Sequence, residues 1–274
     1  MGGRGSSSGM TPQTATPFMR APKMAPPQSP QQQQPPAPDP IVNQVPDNTN
    51  TPITPNALDN LVNMSDAQLA QLFNASQNTA LPNHLGDAND QTQRFVFQIG
   101  LNDKPMVLDA AAFAKYMSDN GISQSQILAR SVNGGVLKTS SGGSRNLSPK
   151  DIVEMMTSSR LNYIGGKHGG QAYGAGTYFD MNGGGSTGYG SGMTVNAVLN
   201  PKTAKVITSS QLRVKAQQFD QSHPQFAKAT GGYSTSFNNN NMSIYALAMG
   251  YNVIKSSHSG YHNIIDRKAL VYKK

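Results

Sequence analysis

The sequence predicts an α+β domain behind a disordered arm, and three observations predict it. Thirteen of the eighteen prolines lie before residue 56, beside the run Gln31–Gln34 and very few large apolar residues. Such a segment cannot bury enough apolar surface to offset its ordering entropy, so residues 1–56 read as a disordered Pro/Gln-rich arm. Beyond it, apolar residues recur first at helical steps and then in short strand-like runs, so helices lead and strands follow. The third observation is the stretch Tyr163–Gly190, which packs eleven glycines and five aromatic rings into 28 residues of a chain that is 7% aromatic. Rings held between glycines suit a backbone that approaches a flat, polar ligand closely and stacks aromatic faces on it.

The elements follow in chain order. Leu58, Leu61, Val62, Met64, Leu69, Leu72 and Phe73 recur at three- and four-residue steps, and Ser65 with Gln68 reads as a capping box. Two short helices split near Ser65 thus form a helical lead-in over 57–89, which Pro82 and Gly86 bring to an end. Gln93–Leu101 reads as a helix or strand, followed by a turn at Asn102–Pro105 and a short run to Leu108. Asp109 caps a helix through Tyr116 and Met117 that Gly121 stops. Ser123–Val132 reads as a strand, and the Gly/Ser-rich residues Asn133–Asn146 as a mobile loop. Ser148 opens a helix with Pro149 in its first position and an apolar face of Ile152, Val153, Met155 and Met156.

After the glycine-aromatic stretch, Met193–Leu199 reads as a strand with alternating burial, and Ala204–Ile207 extends or follows it. Ser209–Ala229 is a helix broken by Pro224, Gly231–Asn241 a loop, and Met242–Met249 a short helix closed by Gly250. Two strands end the chain, Tyr251–Ile254 and Tyr261–Tyr272, the second with a polar interruption at Asp266-Arg267-Lys268.

Composition narrows the chemistry. The absence of cysteine excludes disulfides and thiolate metal sites. No apolar run is long enough to span a membrane, and the first residues lack the apolar segment of a secretory signal. The net charge of +8 arises mainly from scarce acids, Glu154 being the single glutamate. Lysines and arginines form no dense run, so a nucleic-acid face is compatible with the charge but not indicated by it. Mild basicity suits an anionic ligand such as a dinucleotide, and composition drift in a chain made soluble by Asn, Gln and Ser accounts for it equally well. No metal site is expected. The nearest histidine pair, His258 and His262, is interrupted by Gly260 in a turn-like stretch.

Three separated pieces form the strongest constellation. Arg130 stands near the end of the run Ile127-Leu128-Ala129-Arg130-Ser131. Gly174-Ala175-Gly176-Thr177-Tyr178-Phe179 follows, with Tyr189 eleven residues after Tyr178, and the chain closes on YNVI and YHNIIDRKALVY. Together they resemble the ADP-ribosyltransferase superfamily over about residues 90–274. Arg130 matches the arginine that one branch places at the end of its first core strand. The run GAGTYF with Tyr189 is similar to the tyrosine motif of the poly-ADP-ribose-polymerase branch. The opening MGGRGSSSG and the closing aromatic, apolar pair and Asp-Arg-x-Ala-Leu resemble ADP-ribosyltransferase-like proteins of bacteriophages and mobile elements.

The resemblance implies a core of short strands in two packed sheets with flanking helices, and NAD as substrate. It implies transfer of ADP-ribose to a macromolecular acceptor, a protein, by a phage-encoded enzyme acting in a host cytoplasm or a virion. A catalytically inactive NAD-binding or structural module among other virion proteins is the alternative. The expected NAD contacts are Arg130, Ser131, Thr177, Tyr178, Phe179 and Tyr189. A forked guanidinium at Arg130 suits the pyrophosphate, the tyrosine rings suit nicotinamide, and the Thr177 hydroxyl can brace the site. His168, ten residues before Tyr178, reads as a loop histidine. One part of the pattern is missing. Breaking the nicotinamide–ribose bond passes through an oxocarbenium-like state that a carboxylate stabilises, and the family glutamate would fall near Tyr261 or His262. Asp266, on the last strand pair, is the first candidate for the catalytic carboxylate, and Asp180, directly after Tyr178-Phe179, the second.

Overall fold

A computed structural model describes residues 57–81, 84–85, 91–101, 104–138, 142–158, 175–181, 192–236 and 240–274. The expected arm over 1–56, together with Tyr189 and His168, lies outside the described residues. Local capping chemistry sets most helix starts. α1 (Ala57–Val62) and α2 (Asp66–Gln77) part at Ser65, whose hydroxyl accepts from Gln68 N while the Gln68 side chain accepts from Ser65 N. α3 (Gln91–Gln98) resolves the helix-or-strand alternative as a helix. α4 (Ala110–Asp119) begins at Asp109, whose carboxylate accepts from Ala112 N at 2.8 Å. α5 (Pro149–Thr157) has Pro149 in its first turn behind a Ser148–Asp151 box. α6 (Ser209–Ser222) and α7 (Pro224–Thr230) are divided at Pro224, and α8 (Met242–Ala248) ends before Gly250, at φ 84°.

The strands form a mixed sheet of eight, together with a small sheet of three. In chain order they are β1 (His84–Leu85), β2 (Met106–Leu108), β3 (Leu128–Val132), β4 (Gly135–Lys138), β5 (Ser144–Leu147) and β6 (Thr177–Met181). β7 (Met193–Leu199), β8 (Val206–Thr208), β9 (Val253–Lys255), β10 (Tyr261–Ile264) and β11 (Leu270–Lys273) complete them. The large sheet runs β2-β11-β7-β3-β6-β10-β9-β8, with its two parallel pairs at the edges, and the small one runs β1-β4-β5.

The structure departs from three expectations. The stretch Asn133–Asn146, expected as a loop, supplies the hairpin β4–β5, in which Val136 faces Asn146 and Leu137 faces Arg145. Ser123–Val132 opens as a 3-10 turn over Gln124–Gln126 and becomes a strand only from Leu128. The expected strand Tyr261–Tyr272 is two strands, β10 and β11, which lie in different parts of the sheet. The Asp266 side chain accepts from Lys268 N at 3.0 Å, closing a 3-10 turn over Arg267–Ala269 between them.

The large sheet is bent about one seam. β3 meets β6 through only two partner pairs, Leu128↔Met181 and Ala129↔Asp180, whereas β3 and β7 share five and β6 and β10 share four. The strands therefore part just beyond Ala129, each continuing along a different neighbour. Phe179 on β6 and Tyr272 on β11 are three strand steps apart, about 14 Å along a flat sheet. Their rings nevertheless meet at 6.1 Å, so the halves fold toward each other. Between them lies a core of Leu128, Val132, Phe179, Val195, Ile264 and Tyr272, to which α5 adds Ile152 and Met156. α4 covers Val198 and Val271 through Phe113 and Met117. The largest core gathers α1–α3 and α6–α8 around Phe73, Phe95, Phe226 and Tyr245, with Ile254 and Ile265 reaching it from the strand end of the chain. Among the described residues no helix is long and apolar enough to cross a membrane.

Candidate functional site

Strand β3 presents Arg130 at the seam because its neighbours anchor it. Leu128 and Val132 are core residues, and Arg130 between them is half-buried. Its Nη1 donates to the carbonyl oxygen of Tyr178 at 2.9 Å, across the point where β3 and β6 have parted. A guanidinium offers five N–H donors in a planar fork. Ser131, the next residue, is half-buried and pairs with Thr194 on β7.

On β6 the period-two pattern divides the expected residues between two faces. Phe179 is 1% exposed and packs in the core against Tyr272, so its ring serves the scaffold. Thr177 is likewise buried, facing Ile264 on β10. Tyr178 is half-buried and Asp180 is 8% exposed, and they occupy the alternate positions. Asp180 has Ala129 of β3 on one side and Tyr261 of β10 on the other, so it stands at the centre of the three strands. Its Oδ1 would lie 2.5 Å from any Cβ at Gly260, so the missing side chain of Gly260 admits the carboxylate to the start of β10.

Glycine has an equally concrete role at Gly176. A Cβ there would overlap the amide oxygen of Asn263 and come within 2.9 Å of Ile264 O. The close approach is thus of β10 to β6, within the chain itself, and at this position the glycine needs no ligand to explain it. The carbonyl of the preceding Ala175 accepts from Ser243 Oγ at 2.6 Å and from Asn263 Nδ2 at 3.4 Å.

Asp266 sits elsewhere. It is 5% exposed, its carboxylate caps the turn between β10 and β11, and it hydrogen-bonds the Asn252 side chain. Burial pushes its pKa above the usual carboxylate range, against the opposing pull of those hydrogen bonds. The next residue, Arg267, is buried too, and its Nη1 donates to Met155 O, Met156 O and Ser158 O, capping the end of α5. Of the two acids considered from sequence, Asp180 lies on β6 with Tyr178 and pairs with β3, the strand of Arg130, whereas Asp266 belongs to a turn.

His262 enters the neighbourhood from β10, in register with Phe179 and with Lys255 of β9. It is buried, and burial lowers its pKa. Its Nδ1 lies 2.9 Å from Gly260 O, an acceptor only, so Nδ1 carries the proton of the neutral ring. Sequence reasoning also missed Ser243 and Asn263, since neither sits in a recognisable motif. The sole sequence cue was Asn263, a polar residue set directly before the isoleucine pair Ile264-Ile265. Among the described residues no three His, Cys, Asp or Glu side chains group as a metal site. Comparison with protein-family models, with curated proteins and with solved structures returns no match.

Proposed function

We propose that the chain is an NAD-dependent ADP-ribosyltransferase that modifies a macromolecular acceptor, a protein, and that it is phage-encoded. One observation carries the reading. Arg130 on β3, Thr177-Tyr178-Phe179 on β6 and Tyr261–Ile264 of the closing segment on β10 occupy consecutive strands of the sheet, and Arg130 is hydrogen-bonded to the backbone of Tyr178. In this reading Arg130 holds pyrophosphate oxygens and Ser131 and Thr177 brace the strand ends. Tyr178 stacks on nicotinamide, with Tyr189, outside the described residues, as its partner. Phe179 contributes by fixing β6 in the core.

Asp180 takes the carboxylate role ahead of Asp266. It pairs with Tyr261, and the family glutamate would fall near Tyr261 or His262; Gly260 leaves it room. The bond from ribose C1′ to the nicotinamide nitrogen breaks, and nicotinamide leaves with the electron pair. The acceptor's nucleophile forms the new bond to C1′ and gives up its proton, while the carboxylate stabilises the cationic sugar. The alternative, an inactive NAD-binding or structural module of a phage particle, is favoured by one fact. Glu154, the single glutamate, lies exposed on α5 and on none of the three strands.

The test is incubation of the purified chain with labelled NAD and bacterial lysate, beside Arg130→Ala, Tyr178→Ala and Asp180→Asn. The unmutated protein is expected to transfer label, and Asp180→Asn to lower turnover by about 100-fold or more with NAD still bound. Binding by calorimetry without transfer or NAD hydrolysis in the unmutated protein selects the inactive module, and absence of binding removes both readings.

A further inference from the structure

The start of β6 is held by a buried polar knot that the three strands alone do not explain. Ser243 on α8 and Asn263 on β10 are both fully buried, at 0% exposure. Ser243 Oγ donates to Ala175 O at 2.6 Å, and Asn263 Nδ2 reaches the same carbonyl at 3.4 Å and Ser243 Oγ at 3.2 Å. Gly176 then brings β6 so close to Asn263 that no side chain fits between them. Ordinary sheet pairing would place the start of β6, at Thr177, through its ladder to β10 alone. Here a helix from the other core also grips the residue two places before Thr177.

We propose that Ser243 and Asn263 are positioning residues for the seam: by fixing the carbonyl of Ala175 they set the start of β6, and through it the place of the Tyr178 ring and of the Arg130 guanidinium. The chain of contacts is short. Ala175 is three residues before Tyr178, and the Tyr178 carbonyl is the one that receives Arg130 Nη1. A small displacement of Ala175 is therefore delivered to both groups at once. Buried polar groups of this kind are costly unless satisfied, which gives the knot a single preferred geometry. The ligand-binding part of this inference rests on the NAD reading above; the positional part does not.

Ser243→Ala removes one donor with little change of volume, and Asn263→Asp keeps shape while removing the amide donor. Ser76→Ala is the control, because Ser76 is equally buried and its hydroxyl donates to Phe73 O at 2.6 Å, in α2 and outside the three strands. Amide hydrogen exchange at Tyr178–Met181 and NAD affinity by calorimetry are read on the full chain. Ser243→Ala is expected to raise exchange on β6 and weaken NAD binding by up to about tenfold, the equivalent of one hydrogen bond. Ser76→Ala is expected to lower thermal stability comparably while leaving β6 exchange and NAD affinity unchanged. Equal effects of Ser243→Ala and Ser76→Ala on β6 exchange and NAD affinity would overturn the proposal, as would unchanged β6 exchange in Ser243→Ala. Should the unmutated chain bind no NAD, faster β6 exchange in Ser243→Ala still upholds the clamp while the NAD reading falls.

Discussion

Around Phe226 the chain is held by rings against rings, whereas around Arg130 it is held by polar contacts that cross strands. In the helical region, Phe226 meets Phe73 at 6.2 Å, Phe219 at 5.8 Å and Tyr245 at 5.4 Å, all in tilted or edge-on arrangements. The polar groups there are consumed in the same task. Tyr245 Oη bonds Asp220 and Thr230, and burial pushes that phenol well above its ordinary pKa. At the seam the strand ladder is two pairs long, and one guanidinium bridges what the ladder leaves open. A region built from many interchangeable apolar contacts provides stability, while one built from a few directional contacts provides geometry.

Phe226→Ala has the largest expected effect. The side chain is fully buried, so its removal should cost about 3–5 kcal/mol in denaturant unfolding. NAD affinity, measured where the variant is still folded, should be unchanged. A parallel loss of affinity would show that the helical region and the seam are one cooperative device.

Asp66→Ala comes next. α7 follows His223, which makes no side-chain cap, and the Asp66 carboxylate on α2 accepts instead from Gln225 N at 2.9 Å and Phe226 N at 2.8 Å. Loss of this borrowed cap should cost about 1–2 kcal/mol by thermal or denaturant unfolding. Asp66→Asn, which retains one acceptor, should fall between. Identical stabilities for all three proteins would mean that α7 needs packing only.

These two sites also show what the sequence made legible. Ser65 with Gln68, Pro149 after Ser148, the break at Pro224 and the stop at Gly250 are interactions within a few residues, and each was readable from local residue types. Asp66 capping α7 joins residues 159 positions apart, and nothing near Gln225 announces it. The β4–β5 hairpin was hidden because its strands carry few apolar residues and the sequence between them is Gly/Ser-rich, which is also how a loop reads. At the seam the residue types of Arg130, Tyr178 and Asp180 were legible, but their neighbours were not. Whether Asp180 faces Tyr261 depends on register, and register is set by Gly176, Gly260 and Asn263 fitting together across β6 and β10.

His262 gives a smaller, pH-dependent effect beside the seam. Burial lowers its pKa most; Lys255 adds to this, while the Gly260 carbonyl and Asp180 oppose it. The folded value therefore lies below the unfolded one, near 6.5. As pH falls through about 6.5 the unfolded chain takes the proton first, so stability should decline until the folded value is passed. His262→Gln, whose amide can still donate to Gly260 O, should flatten that slope in unfolding titrations between neutral and mildly acidic pH. Equal slopes in both proteins would mean that other groups govern the acid limb.

Asp266→Asn should have the smallest effect, and its smallness is what separates the turn from the seam. Burial raises the folded pKa of Asp266, so its contribution to stability is complete only at low pH and is lost as pH rises through that folded value. Asparagine keeps an oxygen to accept from Lys268 N and removes the buried charge, whose interaction with Arg267 offsets part of that gain. Stability at neutral pH should therefore change by less than about 1 kcal/mol, and turnover by less than about twofold. Asp180→Asn measured beside it supplies the contrast, since that variant should lose turnover while keeping its fold. If Asp266→Asn were instead the silent fold and the dead enzyme, the carboxylate role would return to the turn, and the three strands would hold NAD without acting on it.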